Sequence, residues 1–81
     1  MLTIYGSMLC PDCIQCCEAL KAANVAYDFR DFKDNLLWLK TFLKIRDESD
    51  LFQQVRENGS IGIPCIVKAD GSVTLSWEEF L

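Results

Sequence analysis

Apolar and polar positions along the chain fall into short runs with two different periods. Met1 to Tyr5 is rich in strand formers and reads as a buried strand. Gly6, Ser7 and Met8 interrupt it. Pro11 to Asn24 then carries Ala19, Leu20, Ala22 and Ala23 with a proline in its first turn and no internal glycine, which predicts a helix. On that helix Cys16, Leu20 and Ala23 recur at i, i+4 and i+7, the face that should meet a sheet. From Val25 to Phe32 the period changes to two, with Tyr27 and Phe29 on one side and Asp28 and Arg30 on the other, so a second strand follows directly.

Asp34 or Asn35 can cap the next segment, where Leu36, Leu39, Leu43 and Arg46 share one face and Trp38, Phe42 and Ile45 make another. That helix is apolar over too wide an arc for a simple surface element. Ser49 can cap a further short helix carrying Leu51, Phe52 and Val55 and ending at Asn58-Gly59, a left-handed terminator. Ile63 to Lys68 and Val73 to Leu75 are β-rich runs around Asp70-Gly71, a dipeptide that favours an antiparallel hairpin. The order is β-α-β-α(α)-β-β, with at most one helical turn after Leu75. Right-handed crossover makes the first two strands parallel neighbours, and the hairpin adds antiparallel strands. The expected fold is a single α/β domain over residues 1–81, a four-stranded mixed sheet with helices on both faces.

Composition narrows the function classes. In 81 residues, 8 basic side chains face 12 acidic ones, a formal net charge of −4. No dense Lys/Arg stripe offers a footprint for nucleic acid or an anionic membrane, so neither is an expected partner. No apolar stretch approaches the roughly 18 to 20 residues that span a bilayer, and Met1 leads straight into a strand without a basic leader, so the expected location is the cytoplasm. Five cysteines are present, four of them, Cys10, Cys13, Cys16 and Cys17, within eight consecutive positions. An odd, clustered set is unlike a secreted disulfide framework and points to catalytic, metal-binding or buried thiols. The chain has no histidine, which excludes Cys–His catalysis and mixed Cys/His zinc sites.

Cys10-Pro11-Asp12-Cys13 falls at a strand-to-helix junction. With Pro11 as the first helical residue, Cys10 becomes the N-cap, and the free backbone N–H groups and the helix dipole should favour its thiolate. The dipole supplies only about 0.3 to 1 kcal/mol, so backbone and Cys13 S–H hydrogen bonds must supply more. Asp12 opposes them, because a carboxylate at about 6 Å in a water-like dielectric costs the thiolate about 0.7 kcal/mol. The i, i+3 spacing lets Cys13 attack the Cys10 sulfur intramolecularly, and the deeper Cys13 suits the resolving role. Ile61-Gly62-Ile63-Pro64-Cys65 places a proline at a strand start, where an X-Pro bond can be cis.

Together these features resemble the glutaredoxin branch of the thioredoxin-like superfamily, over nearly the whole chain. The shared features are the C-P-x-C motif at Cys10 to Cys13, the strand ending in Phe29 to Phe32, Gly62-Ile63-Pro64 in place of T-V-P, and the Asp70-Gly71 hairpin. The resemblance implies a thiol–disulfide oxidoreductase with Cys10 as nucleophile and Cys13 as resolving thiol. It further implies a cis Ile63-Pro64 bond and substrate contacts from Met8, Leu9, Pro11, Asp12, Ile63, Pro64 and Ser76. Cys17 and Cys65 are candidate auxiliary thiols, each with core packing as the plain alternative. The chain departs from the family where a basic residue usually precedes the first cysteine: here stand Ser7 and Met8. The G-G-x-D-D glutathione segment corresponds to Leu75, Ser76, Trp77, Glu78 and Glu79, and no full C-terminal helix follows. No permanently bound cofactor is expected. Glutathione, another small thiol or a protein disulfide is the expected co-substrate. The competing class is a metal or iron–sulfur protein, which one continuous helix disfavours because its thiols spread over a broad arc, although a cluster shared between two chains through Cys10 fits the resemblance. Trp38, Phe42, Leu37 and Trp77 either close the core or form a homodimer interface.

Overall fold

The computed structural model describes all residues, 1–81. Its strands are β1 (Leu2–Gly6), β2 (Tyr27–Asp31), β3 (Cys65–Val67) and β4 (Val73–Thr74), in the sheet order β2-β1-β3-β4. β1 runs parallel to β2, and both β1/β3 and β3/β4 are antiparallel. The helices are α1 (Pro11–Ala22), α2 (Leu36–Glu48) and α3 (Gln53–Glu57), with 3-10 turns at Asp50–Phe52 and Trp77–Phe80. This is the expected mixed sheet, and the last turn lies where one helical turn was anticipated.

The sheet separates two small cores, and strand alternation assigns residues to each. Leu2, Ile4 and Ile66 project to one side and are covered by Cys16 and Leu20 of α1, with Val25, Tyr27, Phe29, Trp77 and Phe80 at the margin. Tyr5 and Cys65 project to the other and are covered by Phe42 of α2 and Phe52. The wide apolar arc of α2 therefore resolves into a buried stripe centred on Phe42, with Trp38, Leu39 and Ile45 beside it, and an outer face on which Leu36 and Leu37 are exposed. Of the four residues expected either to close the core or to pair with a second copy, Phe42, Trp38 and Trp77 pack inward and Leu37 does not.

Local chemistry sets the element ends. α1 stops at Ala22 rather than Asn24: Asn24 adopts a left-handed φ of 58°, its N–H bonds to the Lys21 carbonyl, and that of Val25 bonds to the Leu20 carbonyl. This is a Schellman termination with asparagine in the glycine place. The buried face of α1 is consequently Cys13, Cys16, Cys17 and Leu20, and Ala23 lies outside it, exposed. α3 ends the same way, with Gly59 at φ 69° and the Ser60 N–H on the Val55 carbonyl, as the Asn58-Gly59 pair predicted. Asn35, not Asp34, caps α2 by accepting the Leu37 N–H at 2.9 Å, and Ser49 caps the following turn by accepting from Leu51. β3 is shorter than its β-rich run because Pro64 has no N–H to extend the ladder. β4 ends at Thr74, whose Oγ1 accepts the Ser76 N–H and turns the chain into Trp77–Phe80.

Candidate active site

Sheet register brings three loops to one end of the molecule. Gly6, the last residue of β1, is paired with Asp31, the last of β2, and Tyr5 is paired with Cys65, the first of β3. The loop Ser7 to Cys10, the residues after Asp31 and the segment entering β3 through Pro64 therefore leave the sheet side by side. The Ile63-Pro64 peptide bond is cis.

The loop before Cys10 is tightly specified. Met8 donates its N–H to Asp31 Oδ2 at 3.1 Å, Leu9 donates to Ser7 Oγ at 3.1 Å, and the Cys10 N–H bonds to the Ser7 carbonyl at 3.0 Å. Asp31 is buried, and its other oxygen accepts the Lys33 N–H while the Lys33 ammonium lies 3.7 Å away. Burial alone would raise its carboxyl group. The N–H donors of Lys33 and Met8, with the Lys33 charge, outweigh burial and hold it below the ordinary 3.8.

Cys10 is half-buried and caps α1 with its backbone: its carbonyl accepts from Cys13 and Ile14. Its side chain makes no cap hydrogen bond, so the expected cradle of helix N–H groups around the sulfur is not formed. Cys13 is fully buried directly behind. Burial pushes its thiol up to about 12, the Ser7 backbone pulls against this, and the neighbouring Cys10 raises it further through charge and a side-chain hydrogen bond. A β-carbon on residue 6 would lie 2.6 Å from Cys13 Sγ, so glycine at that position makes room for the sulfur.

The remaining cysteines have separate surroundings. Cys16 is fully buried in the α1 core, and burial followed by the charges of Cys17 and Glu78 pushes it up to about 12. Cys17 is buried and raised by desolvation, while a hydrogen bond with the Tyr27 hydroxyl and the Lys21 charge lower it. Cys65 belongs to the opposite core, against Tyr5, Phe42 and Phe52, and desolvation alone takes it to about 12. It stands across the sheet from the α1 cysteines rather than beside the pair, because strand alternation turns the residue after Pro64 toward α2. No three cysteine or carboxylate side chains converge in an arrangement that holds a metal ion.

Leu9, Pro11 and Asp12 are exposed around Cys10, and Met8 is 38% exposed. Ile63 is half-buried and Pro64 buried on the facing segment. Ser76 is exposed at the start of the last turn, with its Oγ donating to Glu78 at 3.0 Å. Sequence reasoning missed four supporting residues: Gly6, Ser7, Asp31 and Arg46. Arg46 donates through Nε to the Ile61 carbonyl at 2.9 Å and through Nη2 to the Ser60 carbonyl at 2.7 Å, which ties the segment before the cis bond to α2. The signal for Asp31 was its place at the end of β2 opposite Gly6, which register reveals and composition does not.

A four-stranded mixed sheet flanked by helices, with a C-x-x-C pair at the start of α1 and a cis proline beside it, defines a thioredoxin-like protein. The crystal structure of a thioredoxin-like protein, solved as a point mutant, superposes with a TM-score of 0.61 at 26% identity, covering 99% of this chain and 93% of that one. No family model matches the sequence. An uncharacterized protein of Haemophilus influenzae is 35% identical over 72 residues, 89% of this chain and 84% of that protein, and the chain belongs to its family. No helix is long and apolar enough to cross a membrane.

Proposed function

We propose that the protein is a glutaredoxin-like thiol–disulfide oxidoreductase that reduces disulfides by a dithiol mechanism. The observation that supports this most is the pairing of a half-exposed Cys10 with a fully buried Cys13 next to it, at the end of the sheet where the cis Ile63-Pro64 bond emerges. In the reaction the Cys10 thiolate attacks one sulfur of a substrate disulfide, forming a mixed disulfide and expelling the other sulfur, which takes up a proton. Cys13 then gives up its proton and attacks Cys10 Sγ, expelling the second substrate sulfur. The substrate gains two electrons and two protons, and the Cys10–Cys13 pair loses them. A dithiol, or two molecules of a monothiol such as glutathione, returns the pair to its reduced form. No bound cofactor enters the cycle.

The assignment divides the two roles sharply. The buried, high-pKa Cys13 thiol is a poor first attacker, because the thiolate is the nucleophile and an incoming disulfide cannot reach it. Once Cys10 carries a mixed disulfide, proximity makes attack by Cys13 intramolecular. The test is to mix reduced wild type, Cys10→Ser and Cys13→Ser with a small disulfide and to follow adducts by mass spectrometry after acid quenching. Wild type should yield the internal disulfide, Cys13→Ser a persistent mixed disulfide on Cys10, and Cys10→Ser neither. Turnover surviving in Cys10→Ser refutes the assignment.

A further inference from the structure

The outer face of α2 carries a pattern that the fold of a single chain leaves unused. Its inner side, Trp38, Leu39, Phe42 and Ile45, packs into the core around Tyr5 and Cys65. On the side away from that core, Leu36, Lys40, Leu43 and Asp47 recur at i, i+4, i+7 and i+11, which places them on one narrow stripe, and all four are exposed. Leu36 is 76% and Leu43 42% exposed. Four residues beyond Asp47, on the turn Asp50–Phe52, Leu51 is 45% exposed while its neighbour Phe52 is buried in the core that α2 covers. A single exposed leucine is ordinary. Three in register with two charges, at alternating spacings of four and three along the helix, make the kind of seam by which helices pair.

The two charges on the seam have opposite signs and neither is used within the chain, whose ion pairs are Arg30–Asp28, Lys33–Asp31 and Lys68–Glu79. From Leu36 onward the seam reads Leu-Lys-Leu-Asp-Leu, an order that is complementary to its own reverse. Laid antiparallel on a second copy, with a two-fold axis beside Leu43, Lys40 meets the partner's Asp47 and Asp47 the partner's Lys40. Leu43 then meets its own copy, and Leu36 falls at the partner's Leu51, as the isologous contact of a two-fold pair requires. A parallel pairing would instead set lysine on lysine and aspartate on aspartate. Self-complementarity in one direction only favours a second copy of this chain over a foreign partner. α2 starts just after β2, at the sheet end that carries Cys10, so the antiparallel arrangement leaves the two Cys10 thiols at opposite ends of the pair.

We propose that Leu36, Lys40, Leu43 and Asp47, with Leu51, form a homodimer interface in which two α2 helices pack antiparallel. One helix face buries little area, so the dimer is a weak one, with a Kd of about 1–100 µM. The test is sedimentation equilibrium of the protein, kept reduced so that no disulfide links two chains, from about 1 to about 500 µM. Wild type should dimerise within this range. Lys40→Glu and Asp47→Lys each put like charges at both contacts and should raise Kd at least about tenfold. An equimolar mixture of these two variants should associate as wild type does, because in the mixed pair both contacts join opposite charges again. Recovery on mixing also excludes misfolding as the cause of the single-variant loss. Leu43→Asp should be monomeric, with an unchanged circular dichroism spectrum. A wild type that stays monomeric throughout overturns the interface and leaves the face to a different protein. A dimer that neither charge reversal weakens, or a weakening that mixing does not restore, overturns it as well.

Discussion

Asp31 and Gly6, opposite each other in register, hold the two halves of the site from beneath. Asp31 is ionised because its backbone donors outweigh its burial, so its folded carboxyl group titrates below the unfolded one. Its stabilisation is therefore fully present above the ordinary 3.8 and is lost as the pH falls through the folded value beneath that. Urea unfolding of wild type should show this acid loss, and Asp31→Asn should weaken the fold at neutral pH by about 1–3 kcal/mol and flatten the acid limb. Gly6→Ala meets a steric limit instead: with Cys13 Sγ 2.6 Å from the new carbon, it should cost roughly 1–3 kcal/mol. Most of that cost should disappear in a Cys13→Ala background, a coupling that a double-mutant cycle of unfolding free energies measures. Cys10 and Cys13 were legible as a pair because their spacing is local. Asp31 was not, because the N–H it holds lies 23 residues away in sequence.

Helix ends, rather than helix bodies, arrange the active face. The C-terminal part of α2 sends Arg46 to the Ser60 and Ile61 carbonyls, while Arg56 of α3 donates to the carbonyls of Arg46 and Ser49. Gly62, at φ 94°, lies against the Phe52 ring, which would sit 2.9 Å from an added β-carbon. The segment leading to the cis bond is thus held by the Arg46 guanidinium on one side and seated on an aromatic ring on the other. Arg46 acts through this segment as a positioning residue. Arg46→Ala should raise KM for a peptide disulfide severalfold with a smaller change in kcat, equivalent to about 1–2 kcal/mol of lost hydrogen bonding. Arg46→Lys should recover only part of the loss, because an ammonium cannot reproduce the planar fork. Steady-state kinetics of the three proteins checks both statements. Caps and terminators such as Asn35, Ser49 and Asn58-Gly59 were readable because they act on the nearest turn. The sequence placed Arg46 on a leucine face, since helical periodicity does not say which distant carbonyls a long side chain will find.

At the scale of the whole molecule, hydrophobic alternation and turn chemistry carried the parallel β1/β2 pair and the β3/β4 hairpin, whereas the antiparallel β1/β3 pairing that unites them in one sheet links segments far apart in sequence and was not legible. The division of the cysteines between two cores needed the register itself. That division has a consequence at high pH: Cys13 and Cys16 in or beside one core and Cys65 in the other are all raised to about 12 from 9.0 by burial. Their contribution is fully present below 9 and is lost as the pH rises toward the folded values, because only the unfolded chain ionises them readily. Chemical denaturation of the reduced protein should show stability falling above pH 9, and Cys65→Val should make that fall shallower. Because Ile4 and Tyr5 are sequence neighbours committed to opposite sides of a shared wall, β1 has no tolerable frame shift. One residue inserted between Thr3 and Ile4 would send an aliphatic and a phenolic side chain into each other's places and dissolve both halves of the interior at once.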